Sequence, residues 1–170
     1  AAERLREKGH TATIGCPSGS WLEQRASTVG IPYFDYLVDP EFEDSLSWQL
    51  VEHLQEYDID VVCCGIPGSR TEVPIVDGAL REVGRGGILV RLGVAPGPGA
   101  LTPQQLGIGY DTVRGIIVVS QDIKQTLLRQ FESLDPARTH VIYNGVDLEQ
   151  FDPTAYNGSQ RSDLRTQFGI

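Results

Sequence analysis

Six short apolar runs, each closed by glycine, proline or polar residues and separated by helical patterns, constrain this chain more than any other feature. They lie at residues 11–16, 31–36, 60–64, 87–91, 115–119 and 140–143. Several, such as Val61-Val62-Cys63-Cys64 and Ile116-Ile117-Val118-Val119, are apolar throughout rather than alternating. Such runs read as strands buried on both faces, the condition of strands in a parallel sheet. Between them the apolar period lengthens. Leu46, Leu50, Leu54 and Tyr57 share one helical face, and so do Ile123, Leu127, Leu128 and Phe131 after Ser120. Ser120 is a suitable N-cap, and Asp122 in the first turn suits the helix dipole. Segments 18–29, 71–83 and 103–113 carry weaker helical patterns. Strands alternating with helices imply right-handed β-α-β units and an open, mainly parallel sheet with helices on both faces, an α/β fold.

The chain has 170 residues, enough for one domain or one domain and a stub. Its formal net charge of -9 argues against a nucleic-acid partner, since affinity there comes from neutralising phosphates with Lys and Arg. No run approaches the ~20 apolar residues of a transmembrane helix, and the first residues have no signal-peptide core. Cys63 and Cys64 are adjacent and point to opposite faces of a strand, and no cysteine has zinc-ligand spacing. Cys16, Cys63 and Cys64 are therefore expected to be buried thiols in a reducing, cytoplasmic setting. His10, His53 and His140 form no pair with metal-ligand spacing, so structural or solvated roles and no metal are expected. Acids such as Glu41, Glu43 and Asp44 read as a solvated helix surface.

In an open parallel sheet, ligands bind beyond the carboxyl ends of the strands. This rule selects the loops that follow the apolar runs. Gly65-Ile66-Pro67-Gly68-Ser69-Arg70-Thr71 leads into a helix. Its glycines allow close backbone approach, and Ser69, Arg70 and Thr71 can donate to a phosphate or a sugar. Gly65, Pro67, Gly68, Ser69 and Arg70 are thus candidate cleft residues, although a simple capped helix start would look the same. Arg91 ends an otherwise apolar strand, where it either faces the cleft or enters a structural ion pair. Residues 93–100 form a loop rich in Gly and Pro, and Ser120 opens the next cleft position. Asn144-Gly145 closes the last strand with an expected left-handed turn at Gly145. Phe151 then anchors the departing chain. Residues 152–159 read as a linker, and residues 161–168 as the start of a new helix stopped by Gly169.

The run His140-Val141-Ile142-Tyr143-Asn144-Gly145-Val146-Asp147-Leu148-Glu149-Gln150-Phe151-Asp152-Pro153 resembles the "N-G-V-D…F-x-P" segment of family-4-like glycosyltransferases of the GT-B kind. There the segment closes the first domain and crosses to the second. Gly115-Ile116-Ile117-Val118-Val119-Ser120 is similar to that family's "iiavS" strand. Residues 5–13, around Lys8-Gly9-His10, resemble its "L-x-x-x-G-H-x-V" handover, and Asp60-Val61-Val62 resembles its "D-v-v" strand.

The resemblance implies a Rossmann-like amino-terminal, acceptor-side domain over residues 1–151. Residues 152–170 would then be the linker and the start of a carboxyl-terminal, donor-binding domain. It further implies a strand and a glycine-rich loop before Ala1, in keeping with a first helix that no strand precedes. An intact enzyme of this kind transfers a sugar from a nucleotide-sugar to a sugar or lipid-linked acceptor, retains the anomeric configuration, uses neither metal nor other cofactor, and can associate with a membrane surface. Asn144, Gly145, Val146 and Asp147 would lie at the interdomain hinge, and the second domain would be this domain's partner. The family's paired glutamates lie in that second domain, so the fragment alone is expected to be inactive. Many relatives carry a histidine where this chain has Arg91-Leu92-Gly93, so no catalytic residue is transferred. Two alternatives stay open: a nucleotide-sugar epimerase of the same architecture, and a binding domain without chemistry. A dehydrogenase domain is disfavoured, because no Gly-x-Gly-x-x-Gly with a downstream acid is present.

Overall fold

The computed structural model describes residues 2–36, 43–66, 72–97, 99–146, 152 and 158–169. Helices and strands alternate along it: α1 Ala2–Glu7, β1 Ile14–Cys16, α2 Trp21–Thr28, β2 Tyr33–Asp35, α3 Glu43–Glu56 and β3 Val61–Ile66. They continue as α4 Glu72–Val83, β4 Gly87–Leu92, β5 Val113–Val118, α5 Gln121–Gln130, β6 Thr139–Val141 and α6 Gly158–Phe168. Every strand pair is parallel. The described strands form two hydrogen-bonded sheets, β1-β2 and β3-β4-β5-β6. The architecture is α/β and Rossmann-like, as the alternation of patterns implies.

The near-continuous apolar runs become the interior of the larger sheet. Ile88, Val90 and Val118 have no accessible surface, and Leu92 is 1% exposed. Leu50 and Leu54 of α3, Val73, Val76, Ala79 and Leu80 of α4, and Ile123 and Leu127 of α5 join them in one core. Each such aliphatic side chain contributes about 1.5–3 kcal/mol on burial. One buried acid is tied into this packing. Asp77 accepts from Arg81 Nε at 2.8 Å and from the Thr112 hydroxyl, fixing α4 to the residues that lead into β5.

Local signals explain most boundaries. The Ser20 hydroxyl caps α2 by accepting from Glu23 N at 3.2 Å, and the Ser120 hydroxyl does the same for α5 from Ile123 N at 3.2 Å. Gly169, at φ 69°, stops α6. Strands β1 and β2 start later than the apolar runs at residues 11–16 and 31–36, and β5 starts earlier, at Val113.

The helix expected over 103–113 does not form; residues 103–109 are turns, and β5 follows at Val113. A helix start is present in miniature. Thr102 N donates to Gln105 Oε1 at 2.9 Å, and Gln105 N donates to Thr102 Oγ1 at 3.3 Å, a reciprocal pair of the capping-box kind. The chain then meets Gly107 and Gly109, at φ 74° and 95°, which a right-handed helix cannot accommodate.

The expectation of three buried thiols also needs correction. Cys16 and Cys64 are buried, but Cys63 is exposed. Cys63 shares its face of β3 with Val61, which is 56% exposed, and with the exposed Gly65. That face of β3 is uncovered among the described residues, so alternation along the strand places one thiol inside and its neighbour outside.

Candidate functional site

Because β3 to β6 are parallel, their carboxyl ends share one edge. Gly65, Arg91, Ile117 and His140 are register partners across the four strands, so their side-chain positions line one face near that edge. Gly65 presents no side chain beside Arg91, and a Cβ there would meet nothing within 4 Å. The guanidinium therefore has free space on the β3 side. It extends the other way, past β5, and Arg91 Nη2 donates to Asn144 Oδ1 at 2.8 Å beyond the end of β6. Two strand spacings separate β4 from β6, roughly 10 Å, close to the full reach of an arginine. Arg91 is exposed, and among the described residues no carboxylate pairs with it. Among the described residues Arg91 is thus held by an amide oxygen and not by an ion pair. Among the described residues no other hydrogen bond engages the fork, whose remaining donors can serve an acceptor group on a bound molecule.

Ser120 lies two residues beyond β5 at the same edge, with its hydroxyl engaged as the α5 cap. That bond fixes where α5 begins; it uses the oxygen as an acceptor and does not occupy the O–H donor. Gly145 and Val146 follow Asn144 and are exposed. Gly145 does not adopt the left-handed conformation expected of it: φ there lies outside the positive range, and a Cβ would meet nothing within 4 Å. Residues 142–146 form neither turn nor bend, so no tight Asn-Gly turn is present. Pro67, Gly68, Ser69, Arg70 and Asp147 fall outside the described residues, as does Phe151.

Sequence reasoning placed Val146 at the hinge but overlooked the exposure of Ile142 and Tyr143 beside it. Ile142 is 55% exposed, and Tyr143 and Val146 are each 67% exposed. They follow β6 directly, and the available signal was an apolar run continuing past the last strand residue that a neighbour could bury. Exposed apolar groups gathered beside a polar cleft suit a surface that meets another body.

The three histidines differ in their surroundings. His53 is buried, its Nε2 is 2.9 Å from the Thr13 hydroxyl, and its ring stacks on Phe34 and Tyr57 at centroid distances of 4.2 and 4.6 Å. Burial holds its pKa below the usual imidazole value, against a smaller opposing pull from Glu56. His10 and His140 are exposed. Beneath the β3 end, burial raises both the Cys64 thiol and the Glu72 carboxyl above their ordinary ranges. Among the described residues no cluster of three or more His, Cys, Asp or Glu could hold a metal ion, and no helix is long and apolar enough to cross a membrane.

The sequence model of the family Glycosyltransferase Family 4 matches residues 95–150, the stretch that holds β5, α5, β6 and Asn144. Solved glycosyltransferase structures share the fold. A glycosyltransferase from Rickettsia africae superposes with a TM-score of 0.76 at 20% identity, covering 99% of this chain and 44% of that one. Anabaena Alr3699/HepE, solved in complex with UDP, gives 0.70 at 19% identity, with coverage of 99% and 44%. Acinetobacter baumannii MurG gives 0.58 at 13% identity, with coverage of 86% and 40%. This chain therefore spans less than half the length of each. No curated protein matches the sequence. The expected likeness to family-4 glycosyltransferases of the GT-B kind thus holds over residues 95–150 by sequence and across the chain by fold.

Proposed function

We propose that this chain, similar in fold and in its 95–150 segment to family-4 glycosyltransferases, is the acceptor-side domain of an enzyme that moves a sugar from a nucleotide-sugar to an acceptor. Residues 1–151 form that domain, and residues 152–170 lead to a donor-binding domain. The observation that carries the reading is the Arg91–Asn144 pair. It sits at the carboxyl edge of a parallel sheet, where such folds bind ligands, and Asn144 belongs to the segment that matches the family.

In the transfer, the bond from the sugar's anomeric carbon to the diphosphate breaks and a bond to an acceptor hydroxyl oxygen forms. The diphosphate leaves with the electron pair of the broken bond and takes up the proton released by the acceptor hydroxyl. Arg91, oriented by Asn144, holds the acceptor by hydrogen bonds that fix its hydroxyl against the donor. The gain comes from positioning two reactants in one cleft and from excluding water as the domains close. Ile142, Tyr143 and Val146 meet the second domain, and residues 144–147 form the hinge. The reaction retains anomeric configuration and needs no metal in this reading, as the family resemblance implies. HepE was solved with UDP and, in a second structure, with UDP and glucose, which makes uridine diphosphate sugars the first donors to try.

Hydrogen exchange on the complete protein, with and without UDP, tests the division of labour. Protection by UDP should concentrate beyond residue 151. Strong protection confined to the edge around Gly65 and Arg91 would overturn the acceptor-side assignment.

A further inference from the structure

The charge on Arg91 has no counter-charge among the described residues. This is not for want of acids. The chain has 23 acidic residues against 14 basic ones, and Arg4, Arg25, Arg81 and Arg85 each pair with a carboxylate. Arg91 meets only the amide oxygen of Asn144, which supplies a dipole and no charge. Glu72 and Asp122 stand in the first turns of α4 and α5, the helices that follow β3 and β5, yet neither forms an ion pair with it. Burial holds the Glu72 carboxyl above its ordinary range, and its hydrogen bond is with Cys64. The ground beside the guanidinium is also clear of side chains. Its register partner on β3 is Gly65, where a Cβ would meet nothing within 4 Å. A Cβ at Gly93 would stand 4.0 Å from Arg91 Nη1 and meet nothing nearer. Both glycines are exposed.

We propose that the acceptor is anionic: it carries a phosphate or a carboxylate that pairs with Arg91 in the space left by Gly65 and Gly93. The inference deepens the acceptor role given to Arg91 above and rests on it. In the open cleft an exposed guanidinium is hydrated. As the domains close, water leaves, and a charge without a partner loses its hydration with nothing in return. A neutral hydroxyl does not offset that loss, and an amide side chain would hold a hydroxyl without incurring it. A phosphate or a carboxylate does offset it, through two charge-assisted hydrogen bonds to the planar fork. Asn144 occupies one donor of Nη2 and fixes the orientation of the fork, and the remaining donors are enough for two oxygens of one group. An anionic group anchored there sets where the acceptor's reacting hydroxyl lies, so acceptors are selected by their charge.

Transfer by the complete protein from a panel of nucleotide-sugars, compared on matched acceptors, tests the proposal. Glucose is set against glucose 6-phosphate and glucuronic acid, and a long-chain alcohol against its phosphate. These arms also separate phosphate from carboxylate as the recognised group. The anionic member of a pair should be used at least about tenfold better in kcat/KM than its neutral counterpart. Arg91→Gln keeps hydrogen-bond donors and removes the charge. It should raise the KM for the anionic acceptor at least about tenfold and abolish the preference, with the Kd for UDP unchanged within about twofold. Equal use of both members, or a preference that survives in Arg91→Gln, would overturn the inference and leave the transferase reading in place. So would a loss of UDP affinity in the variant, which would assign the guanidinium to the donor's diphosphate. No product on any acceptor would remove the transferase reading itself, and the inference with it.

Discussion

Arg91 reaches past a whole strand to meet Asn144, and under the proposed function that geometry makes a specific demand. Charged hydrogen bonds of this kind are worth about 1.5–3 kcal/mol. Arg91→Ala in the complete protein should therefore raise the KM for acceptor by roughly 10- to 100-fold, with little change in the KM for donor. Arg91→Lys should recover part of the loss, since lysine keeps the charge without the planar fork. A matching rise in donor KM would move Arg91 out of the acceptor role.

Cys63 offers a simpler check at this scale. It should react with an alkylating reagent in the native protein, while Cys16 and Cys64 should react only after unfolding. Protection of Cys63 equal to that of Cys64 would contradict the open face of β3.

His53 sets a pH dependence. Its folded pKa is depressed by burial, so the neutral ring is favoured in the native state. Its stabilising effect is complete above the unfolded value of about 6.5 and is lost as pH falls from there through the folded pKa. Glu72, raised by burial, works in the opposite sense, gaining stability as it protonates at lower pH. Comparing the chain with His53→Gln isolates the histidine. The stability gap should be constant above neutrality and shrink as the solution becomes acidic. A gap independent of pH would mean that His53 titrates as a solvated imidazole.

Among the elements, legibility in the sequence followed the strength of burial. The runs around residues 60–64, 87–91 and 115–119 became β3, β4 and β5, because strands covered by neighbours tolerate almost nothing polar. The three-residue strands β1, β2 and β6 were harder to bound, since flanking apolar residues continued beyond the hydrogen-bonded pairs. Thr102 and Gln105 gave the 103–113 segment a true helix-start signal, and Gly107 cancelled it through a backbone sign that composition does not reveal. Gly145 misled in the other direction. An Asn-Gly pair suggests a left-handed turn, yet Gly145 is not among the glycines with positive φ.

The two glycines should thus behave oppositely on substitution. Gly107 combines φ 74° with a Cβ position 2.4 Å from Val113 Cγ2, so Gly107→Ala should cost about 2 kcal/mol or more. Gly145→Ala should stay within about 0.5 kcal/mol, as expected of an open surface position. Thermal denaturation of both variants decides this, and equal losses would contradict the backbone described here.

At the scale of the whole molecule, the candidate site was legible as an edge before it was legible as contacts. Parallel topology alone placed Gly65, Arg91, Ser120 and Asn144 together. The Arg91–Asn144 hydrogen bond was not foreseeable, because it depends on how far the last strand extends before the chain turns away. The exposure of Ile142 and Tyr143 was passed over because nothing in the sequence says what a segment after β6 packs against. The chain covers 44% of the Rickettsia and Anabaena structures it resembles, so in this account catalysis belongs to a larger protein in which this sheet edge forms one wall. The most direct measurement is mass spectrometry of the complete protein incubated with a panel of nucleotide-sugars, with and without sugar and lipid-linked acceptors. The account predicts an acceptor heavier by one sugar residue and an equal amount of nucleoside diphosphate, both dependent on acceptor. A nucleotide-sugar converted to its epimer without acceptor, or no conversion of any donor, would contradict it.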